Sequence, residues 1–152
     1  MKEISEILKG REFLDIATCD FNGKPNVAPK FLLKFNKKFI YLVDHVMGAS
    51  FRNLKANPQV SISVMDIDTL TGYQLNGSVE IVTEGLEYEE ILQELADKKI
   101  KLSVERIIEA VGKNKKHACY ELMLPDKFAV FKVMIEEAVE INLSGKLNRE
   151  KL

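Results

Sequence analysis

Between Phe13 and Thr83 the chain reads as strand-length runs divided by turn signals, and this rhythm limits the fold more than any other feature. The runs are Phe13 to Asp20 (FLDIATCD), Pro25 to Lys34 (PNVAPKFLLK), Phe39 to Asp44 (FIYLVD), Val60 to Met65 (VSISVM) and Gly72 to Thr83 (GYQLNGSVEIVT). Asn22-Gly23 between the first two is a strong hairpin signal. Connections this short join neighbours in antiparallel sheet and leave no room for crossover helices. Two residues inside the runs carry positional meaning. Pro29 implies an edge, a bulge or a place where something other than a strand meets the backbone, and Gly77 implies a bulge or a close approach.

The third and fourth runs are joined differently. Leu42 to Val64, LVDHVMGASFRNLKANPQVSISV, reads as strand, glycine-containing loop, short helix and strand. The helix opens at Ser50 and ends at Asn57-Pro58. A helix start offers free backbone N–H groups and the positive end of the dipole, so with a hydroxyl and Arg52 beside it the stretch is a generic anion site. Taken alone, Ser50 and Arg52 read more readily as a helix cap and a surface charge, because capping serines are common.

After Thr83 the apolar period lengthens to 3.6. Ile91, Leu92 and Leu95, then Val104, Ile107, Ile108 and Val111, place helices over 86–98 and 103–115, with Ser103 as the second N-cap. Ile4, Ile7 and Leu8 mark a short helix over 2–9, ended by Gly10. His117 to Leu124 and Phe128 to Leu143 read as strands, and the polar tail from 144 to 152 is expected to fray. The expected fold is mainly β: a six- to seven-stranded antiparallel barrel, closed or half-closed, with peripheral helices and a helical pair inserted over 86–115 before the last two strands. A sandwich is the other arrangement this pattern allows.

At 152 residues, 46% apolar and 30% charged, one domain spanning 1–152 is expected. A net charge of −1 from 22 basic and 23 acidic side chains argues against a general nucleic-acid binder. Cys19 and Cys119 lie far apart in apolar runs, which is no disulfide framework and suits a reducing compartment. No run approaches the ~20 apolar residues of a membrane span and the N-terminus lacks a signal-peptide core, so a cytoplasmic location is expected. His45, His117 and the cysteines match no zinc spacing, so no metal is expected. Nucleophile elbow, dinucleotide and Walker patterns are all missing from the sequence.

Four pieces in order carry a resemblance: ATCDFNGKPNVAPK at 17–30, FIYLVD at 39–44, GASFRNLKANPQVSISV at 48–64 and GYQLNGSVEIV at 72–82. Together they resemble the FMN-binding split-barrel family, which includes pyridoxamine 5′-phosphate oxidase and many smaller relatives. The likeness covers about residues 1–84 well and the final strands loosely. Its most specific piece is N-L-x-x-N-P followed by a β-branched strand. The resemblance implies a homodimer with FMN in each of two interfacial clefts. It places the flavin ring along Asn26, Val27, Ala28, Pro29 and Lys30, with Val43 and Asp44 approaching. It places the phosphate at Ser50, Arg52 and Asn53, and brings Gly72, Tyr73 and Gln74 near from one subunit or the other. Lys30 is then the nearest cation for the reduced flavin's N1–C2 edge.

The chain also departs from the oxidase members. Ala49 and Ser50 stand where those enzymes carry Arg-Lys, Pro29 where they carry an arginine, and GKLNREKL does not match their Arg-Leu-Pro ending. The expectation is therefore an FMN-dependent oxidoreductase of unassigned small-molecule substrate that does not oxidise pyridoxamine phosphate, with no side chain assigned as catalytic. A carrier of flavin, deazaflavin or haem, or a dimeric scaffold without flavin, are the alternatives.

Overall fold

The computed structural model describes residues 2–113, 124–141, 145 and 147–152. In chain order these form α1 (Lys2–Lys9), β1 (Phe13–Cys19), β2 (Pro25–Phe35), β3 (Phe39–Asp44), α2 (Ala49–Ala56), β4 (Gln59–Asp66), β5 (Thr71–Val82), α3 (Leu86–Gly112), β6 (Ala129–Ile141) and β7 (Leu147–Lys151). Every described strand pairing is antiparallel. The strands run in the order β3-β2-β1-β4-β5-β6-β7, and a β3–β6 pairing closes six of them into a barrel with β7 outside. Closure removes part of the sheet edge that a meander of this length would otherwise expose.

The β1–β2 hairpin forms where the Asn-Gly signal puts it. Gly23 takes a φ of 77°, and the Asp20 side chain accepts from the N–H groups of Asn22 and Lys24, both at 2.9 Å. Gly77 is required by its neighbour. A Cβ there would lie 2.0 Å from the carbonyl oxygen of Met134, and the β5–β6 register slips between Asn76 and Gly77. Pro29 marks an edge. The β2–β3 register covers only Phe31 to Phe35, so 25–30 have β1 on one side and, among the described residues, no strand on the other.

Alternate residues of each strand fill the barrel, among them Ile16, Leu32, Ile40, Leu42, Ile62, Leu75, Phe131 and Val133. Ile4 and Leu8 of α1 and Leu54 of α2 are buried against this core. A second apolar layer lies between barrel and α3, built from Phe31, Leu33, Tyr41, Val43, Val130, Ile91 and Leu95.

Two expectations are corrected. The helical pair over 86–115 is one helix, Leu86–Gly112. Nothing between Lys98 and Ser103 breaks a helix, and Ser103, read as an N-cap, is a buried interior residue. The middle is also tied down: Lys98 Nζ donates to the carbonyls of Leu32 and Leu33 at 2.6 and 2.8 Å, at the β2 bulge, and Arg106 pairs with Glu12. The tail does not fray either, because 147–151 pair with Glu137 to Ile141. β6 has thirteen residues and β3 covers only its first six, so the rest of that edge has unpaired backbone groups. A polar segment can meet that demand, since ladder bonds need no apolar side chain. The strand expected over 117–124 lies largely outside the described residues, as do His117 and Cys119.

Candidate functional site

Two features set the site: the free half of β2 and the start of α2. α2 crosses the barrel end near the β1–β2 hairpin. Its N-cap is Gly48, no side chain caps it, and its first turn holds no acid. The first N–H groups therefore have no side-chain acceptor and face whatever approaches. Ser50 is 2% exposed and its Oγ accepts from Asn26 Nδ2 at 3.0 Å, which leaves the hydroxyl proton to donate elsewhere. Asn53 Nδ2 donates to Thr18 Oγ1 at 3.2 Å, and Asn57 Nδ2 reaches Cys19 Sγ at 3.3 Å. These bonds pin the helix to the ends of β1 and β2. The Arg52 side chain is exposed and makes no hydrogen bond or ion pair among the described residues. An uncapped start, a buried hydroxyl and an unengaged guanidinium fit a phosphate monoester.

Along β2 the residues divide by parity. Asn26, Ala28 and Lys30 fall on the inner side with Leu32; Val27 and Pro29 fall outside and are exposed. Lys30 Nζ donates to Asp44 Oδ1 at 2.9 Å, with the two side chains 7% and 1% exposed, and lies 6.0 Å from the Phe131 ring centroid. Asp44 Oδ1 also accepts from Val46 N–H at 3.2 Å, while Oδ2 is buried without a partner. Val43 points the other way, into the layer beneath α3.

The outer face of β2, β1, β4, β5 and β6 forms lateral rows. One row runs Val27, Ala17, Ser61, Asn76, Glu137; the next runs Pro29, Asp15, Ser63, Gln74, Val139. Gln74 is exposed there, whereas Tyr73 is buried on the inner side and Gly72 lies in the row beyond. Gln74 and Pro29 are three strand spacings apart, about 14 Å. Large apolar side chains stand out on this face and its rim: Val27 is 66% exposed, Phe13 54% and Met65 48%. The predicted set is thus brought together in three groups: Asn26 with Ser50, Lys30 with Asp44, and Gln74 with Gly72 across the sheet.

Sequence reasoning passed over Thr18, Ser61, Asn76 and Glu137. Serines alternating in VSISV and the Asn before Gly77 were the available signals, but neither names a partner.

His45 lies at the end of β3. Burial, and next the charge of Lys99, lower its pKa from 6.5, so it is neutral at pH 7. Nδ1 stands 3.1 Å from the carbonyl oxygen of Pro125, which only accepts, so Nδ1 carries the proton and Nε2 is a bare, buried lone pair. Among the described residues no group of three or more His, Cys, Asp or Glu could hold a metal ion. No described helix is long and apolar enough to cross a membrane. A hollow of about 590 Å³ lies elsewhere, between α1 and the β4–β5 turn, lined by Glu6, Arg11, Asp66, Thr69 and Tyr73 among others. On the outer sheet face, Ala17, Ser61 and Asn76 line an open hollow of about 470 Å³ together with Thr18, Cys19 and Gln59.

The family model for pyridoxamine 5′-phosphate oxidase matches residues 1–141. The chain belongs to that family. Among curated relatives it is 36% identical over 67 residues to heme oxygenase HutZ of Vibrio cholerae, a match covering 44% of this chain and 38% of that protein's length. Among solved structures, HupZ of Group A Streptococcus superposes with a TM-score of 0.65 at 22% identity, covering 94% of each chain. A pyridoxamine 5′-phosphate oxidase-related, FMN binding protein of Nostoc punctiforme superposes at 0.62 and 12% identity, covering 99% of this chain and 95% of that one. At these identities the structural matches establish the split-barrel fold, which the barrel topology shows independently.

Proposed function

We propose that the chain binds FMN as a homodimer and serves as a flavin-dependent oxidoreductase on a small molecule in the cytoplasm. The observation that carries this reading is the α2 start: an uncapped helix end, the Asn26-held hydroxyl of Ser50 and the unengaged Arg52 side chain, all beside the 25–30 stretch of β2. Family membership and the FMN-binding relative from Nostoc support it. Bound flavin would supply hydride or single-electron transfer. The chain's own residues bind and orient. Ser50, Arg52 and the first N–H groups of α2 hold the phosphate, with Asn53 fixing the helix. The backbone of Asn26 to Pro29 meets the ring, where Pro29 offers no competing donor. Lys30 and Asp44 form the footing below, with Val43 packing behind. Gly72 and Gln74 border the cleft from across the sheet, with Tyr73 between them turned into the barrel, and a second copy covering the exposed Val27, Phe13 and Met65 closes it. Without the oxidases' Arg-Lys pair at 49–50, the reading does not extend to pyridoxamine phosphate.

The test is Arg52→Ala in an FMN titration. Loss of one charged hydrogen-bond donor should weaken binding by about 1–3 kcal/mol. An unchanged dissociation constant would place the phosphate elsewhere.

A second reading, haem binding, draws on HutZ and on the bare Nε2 of His45. The enclosure of that nitrogen disfavours it, because an axial ligand must reach an iron outside its own shell.

A further inference from the structure

A hydrogen-bond chain crosses the outer face from β7 to β4. Arg149 Nη1 of β7 approaches Glu137 Oε1 at 3.4 Å. Glu137 Oε2 accepts from Asn76 Nδ2 at 2.9 Å. Asn76 Oδ1 accepts from Ser61 Oγ at 2.8 Å and from Gln74 Nε2 at 3.1 Å, and the same Gln74 nitrogen lies 3.3 Å from Ser61 Oγ.

An amide alone can turn end for end at little cost, but this chain removes that freedom. A carboxylate only accepts, so Glu137 requires the NH₂ end of Asn76. Asn76 must then turn its carbonyl toward Ser61 and Gln74. A carbonyl also only accepts, so Gln74 must offer its NH₂. One acid sixty-three positions away thereby fixes the Gln74 amide and leaves its Oε1, on an exposed face, without a hydrogen bond among the described residues. β7, which the sequence suggested would fray, supplies the cation at the far end of the chain.

We infer that Glu137 and Asn76 are positioning residues that present Gln74 Oε1 as a fixed acceptor, selecting a bound ring whose edge carries an N–H donor. The imide N3–H of a flavin is such an edge. This rests on the FMN reading. Because Gln74 lies about 14 Å along the sheet from Pro29, a ring held at β2 meets the acceptor from the facing protomer.

The probes are FMN and its N3-methyl derivative, titrated into the wild type and Glu137→Gln by flavin fluorescence quenching. The wild type should prefer FMN about tenfold, the size of one hydrogen bond. Glu137→Gln, whose amide tolerates either orientation of Asn76, should cut that preference to about two- or threefold while its unfolding midpoint stays near wild type. A purely structural role would leave the ratio untouched. Equal affinity of the wild type for both probes overturns the acceptor, and full preference in Glu137→Gln overturns the relay; either result leaves FMN binding intact. If the wild type binds neither probe, the FMN reading fails, and with it the selection of a flavin edge. The orientation is then decided by side-chain amide NMR of the free protein. The bonds from Asn76 first, and Arg149, hold the Glu137 carboxyl below its usual range. The Asn76 and Gln74 amide signals should shift together as pH falls through that lowered value, and signals that stay still overturn the relay.

Discussion

Lys30→Met tests the barrel interior most sharply. The Lys30–Asp44 pair is almost fully enclosed, at 7% and 1% side-chain exposure. Methionine keeps the length and apolar stem of lysine but removes the charge. Asp44 is then left with one remaining donor, the Val46 N–H at 3.2 Å, and an Oδ2 that already has none. Removing one member of a buried pair costs about 3–5 kcal/mol, mostly because the other charge stays uncompensated. In a domain of this size about 1 kcal/mol moves the melting midpoint by about 2–4 °C, so the expected drop is about 6–20 °C. Adding Asp44→Asn, which keeps an acceptor for Val46 but removes the orphaned charge, should restore more than half of the loss. The assay is urea unfolding of the wild type, both single variants and the double variant, with unchanged m-values as the check that the comparison is valid. A Lys30→Met loss below about 1 kcal/mol, the scale of an exposed pair, with no recovery on adding Asp44→Asn, would refute an enclosed pair.

Gly77→Ala should be costly, because the added Cβ meets the backbone oxygen of Met134 at 2.0 Å and neither strand can yield without moving the barrel. About 2–3 kcal/mol of lost unfolding free energy is expected, and a loss under about 0.5 would mean the bulge relaxes freely. His45 gives a pH signature. Its pKa is lowered by folding, so the unfolded chain takes up a proton first, near 6.5. Its stability contribution is complete above 6.5 and is lost as pH falls from there through the folded value. His45→Asn, which keeps a donor toward Pro125, should flatten the melting midpoint between roughly pH 7 and 5 relative to wild type. Identical slopes in the two proteins would contradict a buried neutral imidazole.

The barrel was legible because its information is local. Asn22-Gly23 specifies a hairpin, alternation specifies faces, and Pro29 and Gly77 mark an edge and a bulge through backbone rules that need no partner. α3 was misdivided for the same reason. Its continuity depends on Lys98 reaching Leu32 and Leu33, more than sixty residues away, and on a Ser103 whose burial no local pattern reports. β7 pairs because β6 outruns β3, a length mismatch visible only once both are placed. At the site, sequence order named the stretches around Asn26, Ser50 and Gln74. It did not show that Lys30 turns inward to Asp44, or that Glu137 governs Asn76, since parity and long-range pairing decide both.

Whether the α2 start and the β2 edge hold FMN is decided by the absorbance spectrum of the freshly purified protein, before and after added FMN. An oxidised flavin band near ~450 nm is expected, present at once or acquired stoichiometrically on titration. A haem band near ~400 nm with no flavin uptake, or a colourless protein that takes up no FMN, would contradict FMN binding.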